Sequence, residues 1–325
     1  MTTLTAISVA IPTYNRLDIL RETVRRVLAE RCQAGDVEVI VIDDQSDDGT
    51  WEWLEAESRL HEGLAAIRNP SKGRSSARNA GINAARGAIV CLLDDDMWVT
   101  PGFADAHWAA HDGCESPWAV MGRMLPSDEN DSQLATVCYD ERLRRIDSEM
   151  ASYGEELPCN YLCTGNVSLP RSVFEGGVRF DEGFTGYSYE DTELGYRLEA
   201  MGVRLVRAER ALAYHRTDAS IQGLLRKQAK AGRSAVRLLR LHPDAAAKLD
   251  IPYEITGVNE TARRDAMPKA IAKALFFAWP AKLALDAGLH TCAALGLTKP
   301  ALRFLYLAGY HRYGRAYREA AREVA

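Results

Sequence analysis

The chain has 325 residues, 47% hydrophobic and 26% charged, with a formal net charge of -5. That composition is globular, with apolar material for a large core in one large domain or two small ones, and the charge gives no general case for nucleic-acid binding. Seven cysteines form no regular framework, and Cys159 and Cys163 have three residues between them rather than the two of a zinc or redox site, so free thiols in a reducing cytoplasm are expected.

Met1 to Arg16 has no basic leader and its apolar stretch runs into Pro12, which reads as a first strand (Ile7 to Ile11) stopped by the proline rather than a signal peptide. Asp18 is placed to cap a helix running to about Glu30. Val37 to Ile42 is the next strand and ends in Asp43-Asp44, and Gly49-Thr50 opens a second helix. A short strand over Leu64 to Arg68, a helix of small residues over Ser75 to Ala85 and a strand over Ala88 to Leu93 complete a βαβαβ alternation. Such an alternation calls for a parallel sheet with right-handed crossovers. Beyond Pro101 the pattern gives a helix over Phe103 to His111, a strand over Ala119 to Met124 and a polar loop over Ser127 to Ser132. Asp140 to Met150 reads as charged and weakly ordered. A strand over Asn166 to Leu169 leads to a helix starting at Pro170, and a further helix over Thr192 to Met201 is closed by Gly202. Strands over Val203 to Val206 and Ala211 to His215 follow, and mostly helix from Ala219.

Leu92-Leu93-Asp94-Asp95-Asp96 carries the most chemistry. Open α/β sheets bind ligands at the carboxyl ends of their strands. Hard oxygen donors there suit Mg²⁺ or Mn²⁺ holding a diphosphate. A solvated acidic turn is the simpler reading, but three adjacent acids repel one another and gain little without a cation. Ile11-Pro12-Thr13-Tyr14-Asn15-Arg16 leaves a polar loop at the first strand's end. Val39 to Thr50 repeats the logic: Ser46, Asp47 and Asp48 are explained by helix capping, whereas Asp43-Asp44 after four β-branched residues are not. Gly73 to Gly81 combines small residues, which let backbone approach a ligand, with arginines. Glu190-Asp191 opens a helix behind the aromatic, glycine-containing run Phe184 to Tyr189. From the residues alone, helix-start acids and a catalytic carboxylate weigh equally. His107 and His111 have metal-ligand spacing, but Trp108 and two alanines around them favour ordinary packing.

In order and spacing, IPTYNR, VIDDQSDDGT, ARNAGINAARG, LLDDD, TGNVSLPRSVF and FDEGFTGYSYEDTELGYRL resemble the inverting family 2 glycosyltransferases over Ile7 to His215. The resemblance implies an α/β GT-A fold: a mixed, mainly parallel sheet flanked by helices. The catalytic domain would cover residues 1–218, with a nucleotide-binding half at about 1–100 and an acceptor-binding half at about 101–218, before a helical C-terminal extension over 219–325. It implies a nucleotide-sugar donor, above all a UDP-sugar, held by Pro12, Thr13, Tyr14, Asn15, Arg16, Asp44, Arg78, Asp94, Asp95 and Gly165. It implies Mg²⁺ or Mn²⁺ on Asp96 and His215, with the register of the Asp triplet open by one position, and a general base at Asp191 beside Glu190. A nucleotidyltransferase of related fold is the alternative, but IPTYNR is not the glycine-rich, lysine-bearing loop of that class. A non-catalytic nucleotide-sugar-binding module is the other.

Ala219 to Leu241 is basic and amphipathic, either a solvated helix face or a surface for a phosphorylated ligand. Met267 to Ala325 lies outside the resemblance. Pro280, Lys282 and Asp286 break any membrane-spanning length. Three roles stay open for it: packing on the catalytic domain, a homodimer interface, or interfacial contact at the inner face of a membrane. The acceptor is not named by any of these residues.

Overall fold

A computed structural model describes residues 5–112, 117–245 and 279–324. The chain divides into two compact units, one of Met1–Asn130, Asp140–Thr185 and Glu190–Thr217, the other of Asp131–Tyr139, Gly186–Tyr189 and Asp218–Ala325.

The first unit is built on one sheet. Its elements are β1 (Thr5–Thr13), α1 (Leu17–Leu28), β2 (Asp36–Asp43), α2 (Thr50–Leu60), β3 (Leu64–Arg68), α3 (Arg74–Ala84), β4 (Ile89–Leu93), β5 (Met97–Val99), α4 (Phe103–His111) and β6 (Trp118–Pro126). There follow α5 (Leu134–Ser152, of which the part from Asp140 belongs to this unit), β7 (Glu156–Leu157), β8 (Asn166–Pro170), α6 (Arg171–Glu175), α7 (Glu190–Ala200) and β9 (Arg204–His215). The strand order is β3-β2-β1-β4-β8-β6-β9-β5, with β7 also on β9. β3, β2, β1 and β4 run parallel, as the βαβαβ pattern requires, while β8 is antiparallel to β4 and β6, and β5 to β9. Ile40, Ile42, Leu92 and Leu93 are fully buried, each contributing about 1.5–3 kcal/mol of hydrophobic stabilisation. Two faces of sheet covered by helix explain why these strands read as continuous apolar runs.

Four local expectations change. β1 continues through Pro12, in register with Ile42, to Thr13. Thr13 O accepts from Asp44 N, so Thr13 faces β2 and Pro12 faces the other way, where β4 pairing has already ended at Ala10. The missing N–H therefore costs no ladder bond. Asp18 lies in the first turn of α1 rather than at its cap, and it is Asp48 Oδ2 that accepts from Leu17 N at 3.1 Å. Asp140 to Met150 belongs to the helix α5. Leu143 and Met150 are buried, and Asp147 pairs with both Arg123 and Arg207, so the helix is anchored on both counts. The two closing strands are one, β9, which bulges between its pairing of Ala208 with Gly122 and of Leu212 with Arg123.

The second unit contains α8 (Ile221–Leu241), α9 (Trp279–Ala294) and α10 (Thr298–Glu323). α8 has Ser220 as its cap, accepting from Gly223 N at 3.0 Å. It buries Leu225, Ala231, Ala235 and Leu238 and exposes Arg226, Lys230, Arg233 and Arg237, so the basic stripe is on its exposed face. The Tyr189 and Tyr313 hydroxyls are hydrogen-bonded at 2.9 Å within this unit. Six cysteines are free thiols. Cys114 and the apolar stretch over Ala274 to Ala278 lie outside the described residues. No helix among the described residues is long and apolar enough to cross a membrane.

Candidate active site

Parallel pairing puts the ends of β1, β2 and β4 side by side, and the polar loops that follow them form the site. Asp44, just past β2, accepts from Asn69 Nδ2 at 2.6 Å and from Gly73 N at 2.8 Å. Gly73 has φ +137°, a conformation that a side chain would resist, which lets its N–H reach the carboxylate at the start of α3. Tyr14 is an exposed ring at the end of β1, with Lys72 Nζ 4.7 Å above it. Asn15, at φ +51°, exchanges hydrogen bonds with Asp47 and donates its N–H to Ser46 Oγ, so it joins the loops after β1 and β2. Pro12 supplies backbone only.

The aspartate triplet splits three ways. Asp95 is buried and accepts from Thr13 Oγ1 at 2.8 Å and from Arg16 Nη1 at 2.9 Å. Burial pushes its carboxyl up to about 7, with Arg16 offsetting only part. Asp96 is also buried. Its Oδ2 lies 2.7 Å from Arg16 Nη1 and 3.4 Å from His215 Nε2. The sheet sets this last pairing: β5 opposes β9 with Met97 against His215, so the residue before β5 meets the residues ending β9, and Arg216 N donates to Asp96 O at 2.8 Å. His215 is in turn oriented by Thr217 Oγ1 at 2.9 Å on Nδ1, and Thr217 by Asp140 at 3.0 Å, with Asn130 bonded to both. Asp94 keeps more exposure than its two neighbours. A Cβ on Gly165 would lie 3.4 Å from Asp94 Oδ2, so the glycine leaves room beside that carboxylate.

Arg78 crosses the site. It is 3% exposed, donates to Asp94 Oδ1 at 3.1 Å and to Glu190 Oε1 at 2.9 Å, and so joins the end of β4 to the start of α7. Arg74, one turn earlier on α3, lies 3.7 Å from the same Glu190 oxygen. Burial would raise Glu190, but Arg78 and then Arg74 outweigh it and hold the carboxyl below its usual range. Asp191 is the opposite case. Burial first and the Glu190 charge second push it up to about 7, with Arg78 offsetting only part. Two adjacent acids thus have distinct characters: one ionised and pinned, one poised near neutral.

The sequence-predicted residues therefore form two contacting groups, Thr13, Arg16, Asp95, Asp96 and His215 in one and Arg78, Asp94 and Glu190 in the other, linked through the triplet; Asp191 follows Glu190 and Gly165 flanks Asp94. Asp44, Tyr14 and Asn15 sit outside these contacts, on the loops after β1 and β2, as does Pro12 near the end of β1. Arg74 belongs to the arginine-bearing stretch Gly73 to Gly81 but was given no role of its own, although its i, i+4 spacing to Arg78 was a usable signal. Sequence reading missed the Thr217–Asp140–Asn130 support, which had none. His107 and His111 are engaged by protein partners. They bond Ser168 and Asn166, and burial depresses them to about 4 and, with His107 adding its charge, about 3.

Among the described residues no three His, Cys, Asp or Glu gather to hold a metal. Asp96 and His215 nevertheless fit a hard divalent cation as two donors close enough to share it, with the remaining positions left to ligand oxygens and water.

Residues 8–174 match the family model described as glycosyl transferase family 2. The chain belongs to that family. Among curated relatives, validoxylamine A glucosyltransferase of Streptomyces hygroscopicus subsp. jinggangensis is 31% identical over 219 residues, covering 61% of this chain and 52% of that protein. The chain thus spans about half the length of this relative. Among solved structures, the mannosyltransferase PcManGT from Pyrobaculum calidifontis, in complex with GDP-Man and Mn²⁺, superposes with a TM-score of 0.60 at 18% identity, covering 98% of this chain and 88% of that one. GalNAc-T7 with UDP, GalNAc and Mn²⁺ gives 0.58 at 17% identity over 80% of this chain and 52% of that chain. These likenesses establish the GT-A fold: a mixed α/β sheet flanked by helices, with a helical C-terminal region.

Proposed function

We propose that this chain transfers a sugar from a nucleoside-diphosphate donor, in the first place a UDP-sugar, to an acceptor hydroxyl with inversion at the anomeric carbon. The observation that carries the reading is the bridge Asp94–Arg78–Glu190, which brings acids nearly a hundred residues apart to one site beside the ends of β1, β2 and β4. Family membership and relatives that include glucosyltransferases support sugar transfer. Of the two structural neighbours described above, one carries UDP and the other GDP-Man, and a further family relative is described as a UDP-Glc-dependent glucosyltransferase.

The residues divide the work. Tyr14 offers its ring to the base, and Asp44 an acceptor for a base N–H or the ribose. Asp94 faces the ribose or sugar, beside the space that Gly165 leaves. Arg78 and Arg74 supply permanent positive charge near the diphosphate, and Arg78 fixes Glu190. Asp96 and His215 would hold Mg²⁺ or Mn²⁺, which would supply positive charge beside the departing diphosphate. Asp191 takes the proton of the acceptor hydroxyl as its oxygen bonds to the anomeric carbon, and the bond to the diphosphate breaks with the electron pair leaving on that group. A carboxyl near neutral suits a general base, a contribution of about 10²–10⁴-fold. Glu190, held ionised by two arginines, positions rather than accepts. The catalytic unit is assigned to residues 1–218, and the free thiols suit the cytoplasm.

A panel of nucleotide sugars with Mn²⁺, read by nucleoside diphosphate release and by NMR of the anomeric product, tests this. UDP release with an inverted product supports it; retention of configuration, or release of the nucleotide with no sugar liberated or transferred, contradicts it.

A further inference from the structure

α9 and α10 form a hairpin whose inner seam is packed: Leu285 and Leu289 of α9 and Ala301, Leu302, Leu305 and Ala308 of α10 share one buried cluster. The outer surface at the turn is different. Leu295 is 68% exposed, Leu297 is exposed with it, and Tyr306 and Leu307 are exposed further along α10. Lys299, Arg303 and Tyr306 or Leu307 follow at helical spacing on one face of α10, so basic heads flank the apolar tip. From residue 287 to residue 318 the sequence has one lysine, four arginines and no acid, in a chain whose net charge is -5. Of those five cations, Arg312 is paired with Asp286 on α9, 2.7 Å away, and Arg315 with Glu319, 3.2 Å away. Exposed apolar groups beside the basic side chains of Lys299 and Arg303 complement an anionic lipid surface. A second copy of the same surface would bring like charges together across a two-fold contact.

We propose that the tip of the α9–α10 hairpin docks in the headgroup region of an anionic bilayer, inserting Leu295 and Leu297 while Lys299 and Arg303 meet lipid phosphates. The mode is interfacial, since neither helix is long and apolar enough to cross.

Co-sedimentation of the full chain with vesicles of phosphatidylcholine alone or mixed with phosphatidylglycerol tests this. The expected result is binding to the anionic vesicles only, weakening as salt rises. It should fall at least tenfold in the double variant L295D/L297D and again in the charge-only variant K299E/R303E, with both variants keeping the wild-type melting temperature and UDP affinity. Sedimentation with neither vesicle, equal sedimentation with both, or binding untouched by either variant would overturn it. So would light scattering that shows a dimer which L295D/L297D dissociates.

Discussion

Arg78 and Asp191 show how single residues carry this site. A buried guanidinium holding two carboxylates from different parts of the chain is costly to remove, because both acids are then left uncompensated. Arg78→Met should lower the unfolding free energy by about 3–5 kcal/mol, seen as a reduced urea midpoint with unchanged slope. Asp191 must lose its proton to act, and its carboxyl is pushed up to about 7. Transfer efficiency, kcat/KM, should therefore rise with pH through about 7 and level off above it, as a pH profile would show. Asp191→Asn should abolish the rise and most of the rate, at least 10²-fold, while calorimetry finds UDP affinity within about twofold of wild type. Stability moves the other way. The folded carboxyl titrates above its unfolded value, so its favourable contribution is complete in acid and is lost as pH climbs through about 7. Asp191→Asn should raise the melting temperature by roughly 2–6 °C at pH 8 relative to wild type, with little gain at pH 4. A rise of the same size at both pH values would mean that the gain does not come from the carboxylate.

At the scale of elements, pairing register delivers the chemistry. β4 was legible because six apolar residues stop at three acids, and so were β1 and β2 with their polar ends. The meeting of Asp96 with His215 was legible only through family resemblance. It depends on β5, three residues long and too short to leave a periodic signal, lying antiparallel to β9. The support behind His215 was invisible for a different reason. Asp140 sits in a charged stretch whose partners, Thr217 and Asn130, come from distant segments. Groups of this kind orient a metal-binding imidazole through its second nitrogen. Thr217→Val should therefore weaken Mn²⁺-dependent nucleotide binding about 10–100-fold with a far smaller effect on binding in chelator, measured by calorimetry with and without EDTA. Equal losses in both conditions would place Thr217 in the fold rather than behind a cation.

On the scale of the whole molecule, one unit holds every residue assigned to the donor and the base, and a second, helical unit carries the exposed hairpin. The central claim is that the triplet after β4 and the acids opening α7 serve a single nucleotide-sugar site. Titration calorimetry of UDP in Mn²⁺, comparing wild type with Asp96→Asn, tests it most directly. The account predicts that UDP binds wild type and that Asp96→Asn binds at least tenfold more weakly and no longer responds to Mn²⁺. UDP affinity that is identical in the two proteins, or absent from wild type with Mn²⁺ present, would contradict it.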